Sequence, residues 1–286
     1  MLTQIINGQI LTPQGWLKDG SVLISDGKIL EITNSDLAVI GATVIDAKGM
    51  FIVPGFISMH CHGGGGHDFT EGTPEAFKTA AETHLKHGST TIFPTLSSTT
   101  FENIRLAAAT CDQLMAEDAD TTIMGLHIEG PYLNENMAGT QWKEFVKNPD
   151  PEEYKALVES TKCIKRWDIS PELPGAHDFA RYMTSKGILT AITHTEAEYQ
   201  EIKDAFAAGF THAAHFYNAM PGFHKRREYK YEGTVESVYL MDDMSVEVIA
   251  DGVHLPATIL KLVYKVKGVE KTCLVTDSLK FAGYTG

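Results

Sequence analysis

Two histidines one residue apart, His60 and His62, begin a series of side chains able to hold a metal ion. On an extended segment residues i and i+2 face the same way, so both imidazoles can reach one ion. The series continues with His127-Ile128-Glu129-Gly130-Pro131, Thr193-His194-Thr195, His215 with Asn218 close behind, Asp251-Gly252-Val253-His254, and Asp277. Imidazole and carboxylate together suit Zn²⁺, Fe²⁺ and similar ions. One HxH pair is a weak signal. An HxH, a glutamate, two further histidines and an aspartate at the ends of different expected strands form a strong one. Asp277 read alone would be a helix N-cap before Ser278; the joint pattern of the series makes that reading much weaker. His84, His87 and His177 read as surface or internally satisfied residues. Gly63 to Gly66 read as a tight turn, because no P-loop lysine follows.

A framework of strands and helices must position these groups. Residues 1–50 predict short strands at 4–11, 21–25 and 28–31, with Asp26-Gly27 as a hairpin turn, and so part of a small β domain. From residue 51 apolar strands alternate with helices. Strands are expected at 51–59, 90–93, 123–128, 164–169, 188–192, 211–215, 246–250 and 272–276. Helices are expected at 73–87, 101–118, 151–160, 177–186, 196–208 and 256–265. Eight strands, most followed by a helix, have the rhythm of an α/β fold of the (β/α)8 TIM-like barrel type. Such barrels carry their chemistry at strand C-terminal ends, where the residues above fall. The expected division is a small β domain over 1–50 and a barrel over 51–286. With no helix after strand eight and no downstream partner strands for the β segment, the chain reads as truncated after strand eight.

The 286 residues are 43% apolar, enough for a sizeable core, and carry a net charge of −13. That charge and the lack of a basic stripe speak against a nucleic-acid partner. A local cation cluster, His224, Lys225, Arg226 and Arg227, could still hold a phosphorylated small molecule. Cys61, Cys111, Cys163 and Cys273 show neither CxxC spacing nor disulfide-scaffold density. With no signal peptide and no membrane-spanning apolar run, the expected location is cytoplasmic, without a membrane partner.

At these residues the chain resembles the amidohydrolase superfamily, and within it the branch of deacetylases acting on N-acetylglucosamine 6-phosphate. The resemblance rests on Pro54-Gly55-Phe56-Ile57 before the HxH and on Gly125-Leu126-His127-Ile128-Glu129-Gly130-Pro131-Tyr132-Leu133-Asn134. It rests equally on His215-Phe216-Tyr217-Asn218-Ala219-Met220-Pro221, Ala250-Asp251-Gly252-Val253-His254 and Leu274-Val275-Thr276-Asp277. It implies Glu129, His194 and His215 as principal metal ligands, His60 and His62 as the pair holding a second metal in some members, and Asp277 as catalytic acid/base. The implied cofactor is a divalent metal, Zn or Fe, one or two per subunit. Thr140, Gln141, Asn218, Ala219, Arg227, Asp251 and His254 are the implied substrate contacts, with Arg227 reaching across a homodimer interface. Three departures stand out: Gln141 where many relatives carry His, Glu228-Tyr229-Lys230-Tyr231-Glu232-Gly233 where Glu-Pro-Gly is usual, and Thr193-His194-Thr195 where Gly-His-Ser is common.

The chemistry implied is hydrolysis of the acetamide of N-acetylglucosamine 6-phosphate to glucosamine 6-phosphate and acetate. A metal-activated water attacks, and Asp277 takes and returns the proton. A partly dry pocket is expected to raise the pKa of Asp277. His254 or Gln141 is expected to hold the oxyanion, and the Arg227 cluster the phosphate. The rival substrate is N-acetylgalactosamine 6-phosphate. A cyclic amidase or base deaminase is a more distant rival, and a catalytically incomplete metal-binding fragment is a rival of another class.

Overall fold

The computed structural model describes residues 1–34, 38–118 and 120–286. Two compact units divide at Phe56–Ile57, six residues beyond the change of composition at Met50. The first is a five-stranded sheet of β1 (Leu2–Thr12), β2 (Gly15–Ser25), β3 (Lys28–Thr33), β4 (Thr43–Asp46) and β5 (Phe51–Ile52), in the order β3-β2-β1-β4, with β5 also on β1. Asp26 and Gly27 both take positive φ in the β2–β3 turn, as the hairpin signal requires. Parallel partners for β1 thus come from β4 and β5, within the segment itself. The run expected as one strand over 51–59 is broken. Pro54 has no amide to give a ladder, so residues 51–52 pair with β1 and a new strand starts at Phe56.

The second unit is the expected barrel. Its elements, in order, are β6 (Phe56–Cys61), the small hairpin β7 (Gly63–Gly64) and β8 (His67–Asp68), α1 (Pro74–Lys86), β9 (Ser89–Leu96), α2 (Phe101–Glu117), β10 (Leu126–Glu129), α3 (Pro151–Ser160), β11 (Ile164–Ile169) and α4 (Ala176–Ser185). There follow β12 (Leu189–Ile192), α5 (Tyr199–Ala208), β13 (Phe210–Ala213), a second hairpin of β14 (His224–Arg226) and β15 (Tyr229–Tyr231), α6 (Thr234–Tyr239), β16 (Ser245–Ile249), α7 (Ala257–Lys267) and β17 (Thr272–Val275). The eight long strands lie in the order β6-β9-β10-β11-β12-β13-β16-β17, and every pairing from β9 to β17 is parallel. The two ends of the sheet meet through backbone bonds: Asp277 N donates to His60 O (3.0 Å) and His62 N to Ser278 O (2.8 Å).

The helices start where the sequence marks them. Thr73, Thr100 and Asp150 each accept a backbone N–H of the first turn, and Pro74 and Pro151 stand at the first helical position. Their inner faces bury Phe77, Ile104, Tyr154 and Phe179 against outward-facing strand residues such as Ile92 and Trp167. Trp167 and Tyr132 stack at 5.8 Å, and Trp167 Nε1 donates to Gly130 O at 2.7 Å, anchoring the loop after β10. Gly130 itself sits at φ +87, and a Cβ there would lie 2.3 Å from Ser98 Oγ, so only glycine fits after Glu129.

One buried lysine holds the outer layer together. Lys267, at the end of α7, donates to the carbonyls of Val238 (2.7 Å), Met241 (2.7 Å) and Met244 (3.0 Å), which close α6 and the turn before β16. Lys267→Met keeps the stem and orphans those carbonyls. Urea unfolding should show a loss of roughly 2–3 kcal/mol; an unchanged midpoint would contradict this role.

Candidate metal centre

Inside the barrel mouth the side chains are polar, against the usual filling of branched apolar residues. Glu129 ends β10. Its Oε1 lies 2.9 Å from His215 Nε2, 3.3 Å from His194 Nε2 and 3.8 Å from His60 Nε2, while Oε2 lies 3.3 Å from His62 Nε2. His60 and His62 leave β6 on one face, as their spacing requires, with their Nε2 atoms 3.2 Å apart. His194, His215 and Asp277 sit just past β12, β13 and β17, all at positive φ (43, 25 and 48). These are sparsely populated conformations for residues with a Cβ, of a kind that clusters at functional sites. They also explain why β13 stops at Ala213 rather than at His215. Asp277 Oδ1 lies 3.4 Å from His60 Nε2 and 3.3 Å from His62 Nε2. Residues 278–286 form turn and coil, so Asp277 caps no helix within them.

The donor set fits a divalent cation, and the hydrogen bonds behind the rings are the reason. His60 Nδ1 meets Glu247 Oε1 (2.6 Å), His194 Nδ1 meets Met137 O (2.7 Å), His215 Nδ1 meets Asn218 O (3.1 Å) and His62 Nδ1 meets Ser97 Oγ (3.0 Å). A carboxylate or carbonyl oxygen can only accept, so the first three rings keep a proton on Nδ1, which leaves Nε2, the atom facing Glu129, as the one that would bind a metal; the serine hydroxyl allows the same for His62. Two overlapping ligand triplets result, His60–His62–Glu129 and Glu129–His194–His215. A third group, His60–His127–Asp168, is different: the Arg166 guanidinium is bonded to Asp168 (Nε to Oδ1 2.8 Å), and its charge opposes a cation there. His127 Nε2 lies 3.0 Å from Asp168 Oδ2 but out of line for a hydrogen bond.

The charges are strongly coupled. Burial would raise the Glu129 carboxyl, yet His60, His194 and His215 hold it well below the usual carboxylate range. Burial would lower His62, but Asp277 and Glu129 push it up to about 9. His127 is brought down to about 4, chiefly by burial and further by Arg166, so it stays neutral. Asp277 runs against expectation. Burial does act to raise it, but the adjacent His60 and His62 outweigh burial and hold it well below 3.8. It is therefore a carboxylate from the outset.

The other expected residues are placed as follows. Gln141 is buried and held at both ends: Nε2 donates to Glu129 Oε2 (2.7 Å) and Oε1 accepts from Ser98 N (2.7 Å). It orients the glutamate. Thr140 is exposed beside it. Asn218 closes the turn at His215, with Nδ2 donating to His215 O (3.0 Å), and Ala219 O accepts from Thr195 N (3.1 Å). The Asp251 carboxylate is occupied by its own turn, taking Val253 N, His254 N and His254 Nδ1. His254 is thus held, half-exposed, at the end of that turn. In the cation cluster Arg226 is bound by Glu198, whereas Arg227 stands in the two-residue β14–β15 turn at φ 53, exposed, with no side-chain ion pair among the described residues. The segment departing from Glu-Pro-Gly forms β15.

Gly63, Gly65 and Gly66 donate their amides to Ser278, Ala282 and Lys280, so this loop is a turn and no anion cradle. His84 is satisfied by Gly63 O and Ser278 Oγ, both at 3.2 Å. Sequence reading missed Arg166, Asp168, His212 and Glu247, which form a buried ionic layer beneath the ligands. The available signal was charge in the middle of otherwise apolar strands, at 164–169 and 245–249.

A family model described as "Amidohydrolase family" matches residues 51–280. The N-acetylglucosamine-6-phosphate deacetylase of Haemophilus influenzae is 33% identical over 282 residues, 98% of this chain and 72% of that protein. The enzyme of the same name from Lysinibacillus sphaericus is 29% identical, covering 98% of this chain and 71% of its own. The crystal structure of N-acetylglucosamine-6-phosphate deacetylase from Pasteurella multocida superposes with a TM-score of 0.90 at 27% identity, over 98% of this chain and 72% of that one.

Proposed function

The chain belongs to the amidohydrolase family, and from that membership we infer its reaction, the hydrolysis of N-acetylglucosamine 6-phosphate to glucosamine 6-phosphate and acetate in amino sugar catabolism. The substrate follows from relatives of that name matching 98% of the chain. The observation that carries the chemistry is an ionised carboxylate, Asp277, beside His60 and His62, two of the four imidazoles whose Nε2 atoms converge on Glu129. A metal store needs no such base.

Glu129, His194 and His215 would hold the ion, and His60 and His62 would hold a second; zinc or iron suits this nitrogen and oxygen set. When bound, a divalent cation polarises the acetyl carbonyl and acidifies a water. Asp277 accepts the proton of the attacking water and returns it to the sugar nitrogen as the amide bond breaks. Gln141 keeps Glu129 in its orientation throughout. Among the described residues His254 bonds through Nδ1 to Asp251, which leaves Nε2 to face substrate. A cytoplasmic location is supported by four free thiols, three of them buried.

Arg227 serves the phosphate, and it does so in a homodimer, at the neighbouring subunit's site. Support comes from its exposed turn and a guanidinium with no ion pair among the described residues, beside an Arg226 already committed to Glu198. The test compares wild type and Arg227→Ala on N-acetylglucosamine 6-phosphate, its galacto epimer and unphosphorylated N-acetylglucosamine. Wild type should prefer the first in kcat/KM. The variant should raise KM for the phosphorylated sugars by roughly 10–100-fold, the worth of a charge-assisted hydrogen bond, and leave the neutral sugar nearly unchanged. Equal effects on all three would contradict the phosphate role, and preference for the galacto epimer would overturn the substrate.

A further inference from the structure

Beneath the ligands lies a carboxylate with four donors and no freedom. Glu247, on β16, is fully buried. Its Oε1 accepts from His60 Nδ1 (2.6 Å) and from the backbone N–H of His215 (3.0 Å). Its Oε2 accepts from Arg166 Nη1 (2.6 Å) and His212 Nε2 (3.2 Å). Arg166 is in turn fixed by Asp168, and His212 Nδ1 by Ser245 Oγ at 2.8 Å. One side chain therefore touches the ring of one metal-ligand candidate and the strained backbone of another, His215 at φ 25.

We propose that Glu247, anchored by Arg166, is a positioning residue that keeps the His60 proton on Nδ1, so that Nε2 is presented to the metal, and that pins the turn carrying His215. The inference rests on the reading of His60 and His62 as ligands. A plain buried ion pair would be satisfied by Arg166 alone; here the second oxygen is spent wholly on the two ligand residues. Glutamine makes the distinction sharp. It has one acceptor oxygen where four donors converge, so its NH₂ must confront either Arg166 and His212 or His60 and His215. Facing a guanidinium is the worse choice. The NH₂ in Glu247→Gln then faces His60 Nδ1, which can meet it only as an acceptor, moving the proton to Nε2.

The test uses the zinc-loaded chain with ¹⁵N-labelled histidine and long-range ¹H–¹⁵N spectra, His60 being assigned by its loss in His60→Ala. Wild type should show His60 protonated on Nδ1 with zinc on Nε2. Zinc on Nδ1, or a proton on Nε2, overturns the proposal whether or not any variant folds. In titrations with zinc alone, Glu247→Gln should weaken the zinc equivalent that His60→Ala abolishes by roughly 10–100-fold, the usual effect of losing a partner behind a ligand. A zinc equivalent lost in His60→Ala but unchanged in Glu247→Gln would defeat the positioning role and leave the ligand reading intact. Zinc binding untouched by His60→Ala would remove the ligand reading, and this inference with it.

Discussion

Asp277→Asn should lower kcat by ~10²–10⁴-fold, the range for losing a general acid/base, in a protein that still folds and still binds metal. Asparagine is nearly isosteric with aspartate. The backbone bond from residue 277 N to His60 O survives the change, so the meeting of β6 and β17 is kept. What vanishes is the ability to take a proton from water. The held-down pKa strengthens the argument, since His60 and His62 keep Asp277 ionised against the pull of burial. It begins the cycle as a base and becomes an acid only after the water has given up its proton. A capping role would predict a mild effect, because asparagine caps helices about as well as aspartate, and residues 278–286 form no helix to cap. Turnover, melting temperature and metal content measured together decide the matter: near-normal kcat would end the catalytic assignment.

His194→Ala should abolish tight metal retention. The ring's Nε2 stands 3.3 Å from Glu129 Oε1 and 3.3 Å from His215 Nε2, and its Nδ1 is tied to Met137 O at 2.7 Å. Alanine removes a donor that no neighbour can replace, because Thr193 Oγ1 is already bonded to Glu129. Losing a partner behind a ligand costs roughly 10–100-fold in affinity; losing the ligand should cost at least about 100-fold. Metal analysis after dialysis, with His177→Ala on α4 as control, reads this directly. Metal content unchanged in His194→Ala would sink the ligand set.

The barrel was legible because its strands and helices differ in apolar period, and because its chemistry sits at strand ends. Residues 151–160 and 164–169 match their elements to the residue. The misses have local causes. Pro54 splits a run that looks continuous. The positive φ of His215 ends β13 early, which no apolar pattern signals. The six residues of α6 and three-residue strands such as β14 are too short to show a period. At the site, types and spacing pointed to Glu129, His194, His215, His60, His62 and Asp277, and the folded chain brings all six together. What spacing could not carry was the wiring. Gln141 binding Glu129, Asp251 spent on its own turn, and Glu247 behind His60 are contacts between residues 3 to 187 positions apart. The sign of the Asp277 shift was missed for the same reason: it depends on two imidazoles placed by another strand.

The most direct test of metal-dependent deacetylation is acetate release from N-acetylglucosamine 6-phosphate by the chain stripped with chelator, dialysed and then given back zinc or ferrous ion. The account predicts turnover lost on stripping and restored by metal, with one molecule of acetate released per glucosamine 6-phosphate formed. Undiminished acetate release from the stripped protein, or none from the metal-restored one, would contradict it.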